Sequence, residues 1–242
     1  MSLPRFHVPR LHTGAPLELP DPVAHHALHV LRLRAGDHVR LFDGAGAEFE
    51  ARLESVTRGG VTARLLDAVP SRPESPLRVT LALSPLKGDL MDLVIQKATE
   101  LGVARILPVV TQRTDAVARP SLDGARHDRW GRVAIGAAEQ CGRAVVPEII
   151  AACTLDALLR ETFDGPKVFF WEREAQPSLR TLQPAKSCLV LVGPAGGWED
   201  DEAAGIISAG YQPIGLGPRT LRAETAAIAA LVAVQVLWGD LA

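Results

Sequence analysis

The sequence contains no apolar run of the roughly 18 residues that a membrane span requires. The Ala/Val/Leu-rich stretch from Ala226 to Trp238 is too short and contains Gln235. Met1 to Arg10 lacks the apolar core of a signal peptide, so a cytoplasmic location is expected. Cysteine is scarce: Cys141, Cys153 and Cys188 are far apart and match neither zinc spacing nor a disulfide framework, and they are expected to be reduced and structural. The chain also lacks a basic surplus, with a formal net charge of −2. A whole-chain average nevertheless hides local distribution. Residues 1–72 hold nine Arg, eight Asp plus Glu and six of the seven histidines, which is compatible with contact to RNA. There is no internal repeat or low-complexity tract.

What is present is enough apolar material, 47% of 242 residues, for one large domain or two modest ones. From Arg5 to Leu66 the chain reads as short strands broken by turns, with alternating apolar residues around Asp43-Gly44-Ala45-Gly46 and Arg58-Gly59-Gly60. That is the pattern of a small antiparallel sheet or barrel. One helix interrupts it: Asp21 is a candidate cap before Pro22, and Val23, Ala27, Val30 and Leu31 recur at helical spacing. Pro70, Pro73 and Pro76 fall within seven residues and mark a linker, giving domains 1–72 and 77–242. Beyond the linker, strands and helices alternate: strands at Leu77–Leu83, Ala104–Val110, Val168–Trp171, Leu189–Val192 and Tyr211–Leu216, helices at Leu90–Leu101, Ser121–Gln140, Glu199–Ala209 and Ala223–Trp238. The expected class is α/β with a largely parallel sheet.

Two of these strands end in glycine turns. Leu189–Val192, apolar at every position as in a strand buried on both faces, leads into Gly193-Pro194-Ala195-Gly196-Gly197 and the acidic helix start Glu199–Glu202. The other runs through Ile214-Gly215-Leu216-Gly217 to Pro218-Arg219-Thr220-Leu221-Arg222 and the helix at Ala223. Open α/β sheets bind ligands at such strand ends, although either turn alone could equally be a plain connection. The Lys-Ser/Thr of a P-loop is missing and the acidic helix start would repel polyphosphate, so a ligand of low negative charge fits better. The glycine fingerprint of a dinucleotide fold is missing too, since Leu77–Leu83 is followed by Ser84-Pro85-Leu86-Lys87. His25 and His29 lie one helical turn apart near His26, but with no third ligand evident no metal is expected.

Read in order, Leu191 to Glu199 and Leu216 to Ala226 closely resemble the paired C-terminal motifs of the SPOUT-class 16S rRNA uridine-N3 methyltransferases. His26 to Asp37, Lys87 to Gly102 and Ala137 to Arg143 are similar to the same family, so the resemblance covers nearly the whole chain. It implies a PUA-like domain for RNA, a C-terminal α/β domain tied in a deep trefoil knot, S-adenosylmethionine as cofactor, 16S rRNA or the small ribosomal subunit as substrate, and a homodimer. The cofactor residues it implies are Phe170, Trp171, Glu172, Val192, Gly193, Pro194, Gly196, Gly197, Leu216, Gly217 and Leu221. One position departs from the pattern: the family turn usually reads Gly-Pro-Glu-Gly-Gly, and Ala195 stands in place of the glutamate. Either that carboxylate is dispensable or the chain is an RNA-binding protein without catalysis.

For methylation of uracil N3, a fixed cation beside the ring oxygens would stabilise the anion. Arg222 and Arg219 are the candidates, with a surface or helix-end role as the alternative for each. Glu224, in the first turn of the last helix, is a candidate for base or cofactor duty, although a carboxylate is favoured there by the helix dipole in any case. Arg5, His26, Arg32, Arg34, Arg113 and Arg143 are candidate RNA contacts, simple solvation being the competing reading.

Overall fold

Alternation of apolar and polar residues from His38 to Ala68 yields a meander in which buried positions recur every second residue. In the computed structural model, which describes residues 3–57, 59–115, 124–172 and 179–241, these strands are β3 (His38–Phe42), β4 (Glu48–Thr57) and β5 (Gly60–Ala68). Val39, Leu41, Ala51, Leu53, Val61 and Ala63 point inward and are fully buried. β1 (Arg5–His7) adds in parallel beside β3 and β2 (Leu17–Glu18) antiparallel beside β5, giving the order β1-β3-β4-β5-β2. The Asp43–Gly46 turn forms as expected: Asp43 Oδ1 accepts from the amides of Ala45 (2.7 Å) and Ala47 (3.0 Å), while Gly44 and Gly46 take φ of 80° and 116°. At the second turn Arg58 lies outside the described residues.

The helix in this unit differs from expectation. α1 spans Asp21–His25 and its N-cap is Pro20, so Asp21 sits inside the first turn and makes no capping hydrogen bond. It runs into a π-helical turn, His26–Val30, in which the amide of Leu31 reaches the carbonyl of His26 at 3.0 Å, and the chain then bends at Arg32 with φ 54°. The wider turn breaks the 3.6-residue spacing. Ala27 is therefore buried while Val30 and Leu31 are exposed.

Ser75 begins a second compact unit, Ser75–Ala134 with Pro147–Ala242; residues Ile135–Val146 cluster with the N-terminal unit, Met1–Glu74. Its strands are β6 (Arg78–Leu83), β7 (Arg105–Val110), β8 (Glu148–Ile149), β9 (Cys153–Thr154), β10 (Lys167–Phe170), β11 (Ser187–Val192) and β12 (Gln212–Ile214). Every pairing is parallel, in the order β12-β10-β11-β6-β7-β8, with β9 also on β7. The helices are α2 (Leu90–Glu100), α4 (Leu155–Arg160), α5 (Asp200–Ser208), α6 (Ala223–Trp238) and the first part of α3 (Gly124–Cys141), whose residues from Ile135 on belong to the N-terminal unit. The expected start of α3, Ser121, lies outside the described residues. Two-residue β8 and β9 and the short α4 give no periodicity to read in the sequence. No helix among the described residues is long and apolar enough to cross a membrane.

β11 is the central strand: Cys188 to Val192 are all buried, flanked by β10 and β6, which explains an apolar run without alternation. α6 is apolar nearly all round. It buries Ala227, Ala230, Leu231, Val234 and Gln235 and leaves Val232, Val236 and Leu237 exposed. The wholly buried Gln235 amide is satisfied on both sides: Ser75 Oγ donates to its Oε1 at 2.7 Å, and its Nε2 donates to the Leu101 carbonyl at 2.7 Å.

Candidate functional site

Parallel pairing brings four strand ends abreast, because Phe170 of β10 is in register with both Val192 of β11 and Ile214 of β12, and Val192 with Leu83 of β6. The two glycine turns leave from this row, at the C-terminal edge where open parallel sheets hold ligands. The first turn is closed by the amide of Gly197 on the Pro194 carbonyl at 2.9 Å, with Gly197 at φ 75°. Trp198 packs beneath it: a Cβ on Gly193 would stand 2.7 Å from the indole ring, so only glycine fits. The indole Nε1 also donates to the Phe170 carbonyl at 3.2 Å, tying the end of β10 to the turn after β11. The amide of Trp171 donates to Ile214 O at 3.1 Å and ties the end of β10 to β12. In the second turn Gly217 has φ 96°.

Two clefts open between these loops. One, of about 440 Å³ including its mouth, is walled by Phe170, Val192, Gly193 and Pro194, then Ala195, Gly197 and Trp198, with Thr220, Leu221, Ala223 and Ala226 opposite. The other, about 350 Å³, runs along Trp171, Ile214, Leu216, Gly217 and Arg219. Phe170, Glu172, Leu221 and Ala226 belong to both. The walls are apolar side chains and glycine backbone, with one carboxylate, Glu172, and one cation, Arg219. Such walls suit a flat heterocycle carrying little negative charge better than a polyphosphate.

Of the residues assigned to the cofactor from sequence, all but Gly196 line these clefts. Gly196 faces away: a Cβ there would meet the side chain of Arg113 at 3.4 Å, and its carbonyl accepts from Arg113 Nη1 at 2.8 Å. Sequence reasoning passed over Trp198, Thr220 and Ala226; a tryptophan directly after a glycine turn was the one available signal. Arg222 is the N-cap of α6 and sits between the lining residues Leu221 and Ala223 without lining a cleft itself. Glu224 follows in the first turn of α6. Arg219, Arg222 and Glu224 form no side-chain hydrogen bond or ion pair among the described residues.

The candidate RNA contacts divide. Arg32 and Arg34 are exposed beside the π-helical turn, and His26 is half-buried with its ring edge-on to Phe6. Arg5 and Arg143 need correction. Arg5 lies under the surface of the N-terminal unit: Nε and Nη2 bind the two oxygens of Glu48, and the remaining N–H groups go to the carbonyls of Ala138, Glu139 and Arg143. With every guanidinium donor engaged, no hydrogen is left for a phosphate. Arg143 is buried and paired with Glu74, at 3.1 Å through Nε. Arg113, in the second unit, is exposed but grips Glu199 with Nε (2.7 Å) and Nη2 (2.8 Å), and hydrogen bonding to that carboxylate raises its pKa. Among the described residues no group of three His, Cys, Asp or Glu side chains gathers as a metal site would.

Residues 73–235 match the model of an RNA methyltransferase domain and residues 19–66 that of an RNA methyltransferase PUA domain. A Legionella pneumophila protein solved with its cofactor SAM bound is similar over the whole of both chains, with 34% identity and a TM-score of 0.94. Ribosomal RNA small subunit methyltransferase E of Neisseria gonorrhoeae, solved with S-adenosyl methionine, is 36% identical over the whole of both chains with a TM-score of 0.91. The protein of that same name from Synechocystis is 36% identical over 88% of this chain and 70% of its own length. With an α/β methyltransferase fold, a PUA-like N-terminal unit and these relatives, the chain belongs to the RNA methyltransferase family that includes ribosomal RNA small subunit methyltransferase E.

Proposed function

We propose that the protein methylates N3 of a uridine in 16S rRNA, using S-adenosylmethionine held in the two clefts at the sheet edge. The observation behind this reading is the row of strand ends Phe170, Val192 and Ile214 with glycine turns around an apolar slot. The residues fit that cofactor: Phe170, Leu216, Leu221 and Ala226 offer surfaces for an adenine ring, Gly193, Gly197 and Gly217 leave backbone within reach, and Glu172 supplies a carboxylate for a ribose or a cationic group. When bound, the cofactor supplies an electrophilic methyl group.

The chain must do the rest. Uracil N3 is protonated at neutral pH and becomes nucleophilic as that proton leaves. Arg222 and Arg219, cations without partners among the described residues, flank the clefts and would stabilise negative charge on the ring oxygens. Glu224, in the first turn of α6, is the candidate carboxylate for base or cofactor duty. The first domain, 1–72, would bind RNA through the exposed Arg32 and Arg34 with His26, and the second, 77–242, would hold cofactor and base. Two such chains would pair as a homodimer across the exposed Val232, Val236 and Leu237 of α6, an apolar face that water solvates poorly. A trefoil knot in the second domain is supported by family membership. Work on ribosomal RNA implies a cytoplasmic site of action.

Transfer of a labelled methyl group from S-adenosylmethionine to 16S rRNA that lacks the modification, followed by nucleoside mass spectrometry, tests the reading. The expected product is 3-methyluridine. RNA binding without methyl transfer would leave a non-catalytic binder and overturn the reading.

A further inference from the structure

We infer that Arg113 is a positioning residue for the cofactor turn, fastening Gly193–Glu199 from outside the clefts so that cofactor affinity depends on a side chain that does not line them. The inference rests on the reading that these clefts hold S-adenosylmethionine. The turn cannot fasten itself with side chains, since Gly193, Pro194, Ala195, Gly196 and Gly197 offer none that hydrogen-bond. Arg113 supplies what is missing: Nη1 holds the Gly196 carbonyl at 2.8 Å while Nε and Nη2 hold both oxygens of Glu199, the N-cap of α5. One planar guanidinium thus spans the turn and the helix that follows it.

The segment bearing Arg113 is itself fixed. Thr114 Oγ1 accepts from the amide of Thr111 at 2.7 Å and shares a buried hydrogen bond with Ser84 Oγ at 2.8 Å. The Gln112 amide donates to Glu202 Oε1 at 2.7 Å and its side chain to Asp201 Oδ2 at 2.9 Å. Arg113 therefore reaches from a braced strand end to a turn that needs bracing. An exposed ion pair by itself adds little to global stability, but two-pronged geometry is the favourable case. Here it sets the fraction of molecules whose turn is ready for ligand, and apparent affinity scales with that fraction.

The test is calorimetric titration of the full chain and its Arg113→Ala, Arg113→Lys, Glu199→Gln and double variants with S-adenosylmethionine, alongside RNA binding and methyl-transfer kinetics. Arg113→Ala and Glu199→Gln should each raise Kd about tenfold, and the double variant should be no worse than the weaker single one, because both remove the same clamp. KM for the cofactor should rise while kcat at saturation and RNA affinity stay within a few fold. Lysine should restore only part of the affinity, since one ammonium cannot bridge carbonyl and carboxylate together. Wild-type cofactor affinity in both single variants overturns the inference, as does a loss of RNA affinity at unchanged cofactor affinity. If the parent chain itself fails to bind S-adenosylmethionine, the cofactor reading has failed and takes the inference with it. Should Arg113→Ala not fold, Glu199→Gln decides the matter alone.

Discussion

Arg5 and Glu48 form a two-pronged ion pair, 3.0 Å on each arm, with side chains only 11% and 3% exposed. Glu48 opens β4, and Arg5 also caps three carbonyls between Ala138 and Arg143, so the pair knits β4 to a segment that lies more than 130 positions after Arg5. Removing the cation leaves a buried carboxylate with only the longer contact to Arg40 at 3.8 Å. Arg5→Ala should therefore lose about 3–5 kcal/mol of stability, read by urea unfolding, while Glu48→Ala should lose a similar amount. If Arg5→Ala unfolds like the parent but binds RNA more weakly, the arginine is a nucleic-acid contact after all.

Gly193→Ala tests the packing under the first turn. The added methyl would stand 2.7 Å from the Trp198 ring, and displacing a buried indole that also holds Phe170 O should cost about 1–3 kcal/mol. Cofactor affinity should fall at least as much as stability does, because the same shift deforms the cleft wall. Gly196→Ala, which faces Arg113 rather than the cleft, should be milder. Equal effects from the two, measured by titration and thermal unfolding, would contradict this assignment.

Arg222→Ala addresses catalysis. An arginine next to two lining residues, with no partner of its own among the described residues, is available to a developing anion. Its loss should lower kcat by roughly 10²–10³ with cofactor affinity within a few fold. Lysine should recover little, having lost the planar fork. An unchanged kcat would move the role to Arg219 or Glu224.

Glu139 offers a pH test. Burial pushes its carboxyl above the ordinary 4.5, against the opposing pull of the His7 amide and of the charges on His26, His7 and Arg5. A carboxyl raised in the folded state opposes folding while ionised, and that penalty is relieved as pH falls through the raised value. Glu139→Gln, whose carbonyl can still accept the His7 amide at 2.9 Å, should stabilise the protein at neutral pH. The advantage should shrink in acid. A constant difference across the range, by urea unfolding at each pH, would rule out titration as the cause.

Much of this architecture is written locally and could be read there. β11 announces itself by an unbroken apolar run, and the turns after it and after β12 by their glycines, so strand ends and turns were legible locally, whereas the assignment of Phe170, Val192, Gly193 and Leu221 to a cofactor came from the family resemblance. Arg5 and Arg143 were misread because an arginine's destination is a tertiary fact: nothing near residue 5 reveals carbonyls at 138, 139 and 143. Arg113 was hidden for the same reason, its partners lying 83 and 86 positions away. α1 was misjudged because a π-helical turn changes the period on which the face of a helix is predicted.

The buried amide of Gln235 has a consequence for synthesis. Its partner Ser75 precedes it by 160 positions. At about 5–20 residues per second, the hydroxyl that opens the second unit leaves the ribosome on the order of ten seconds or more before its acceptor exists. The carbonyl of Leu101 precedes its donor by 134 positions and waits almost as long, open to chaperones and to misplaced contacts. A nascent chain interrupted before α6 is thus an unsealed domain, and surveillance of such fragments would act on polar groups that are hydrogen-bonded in the finished protein.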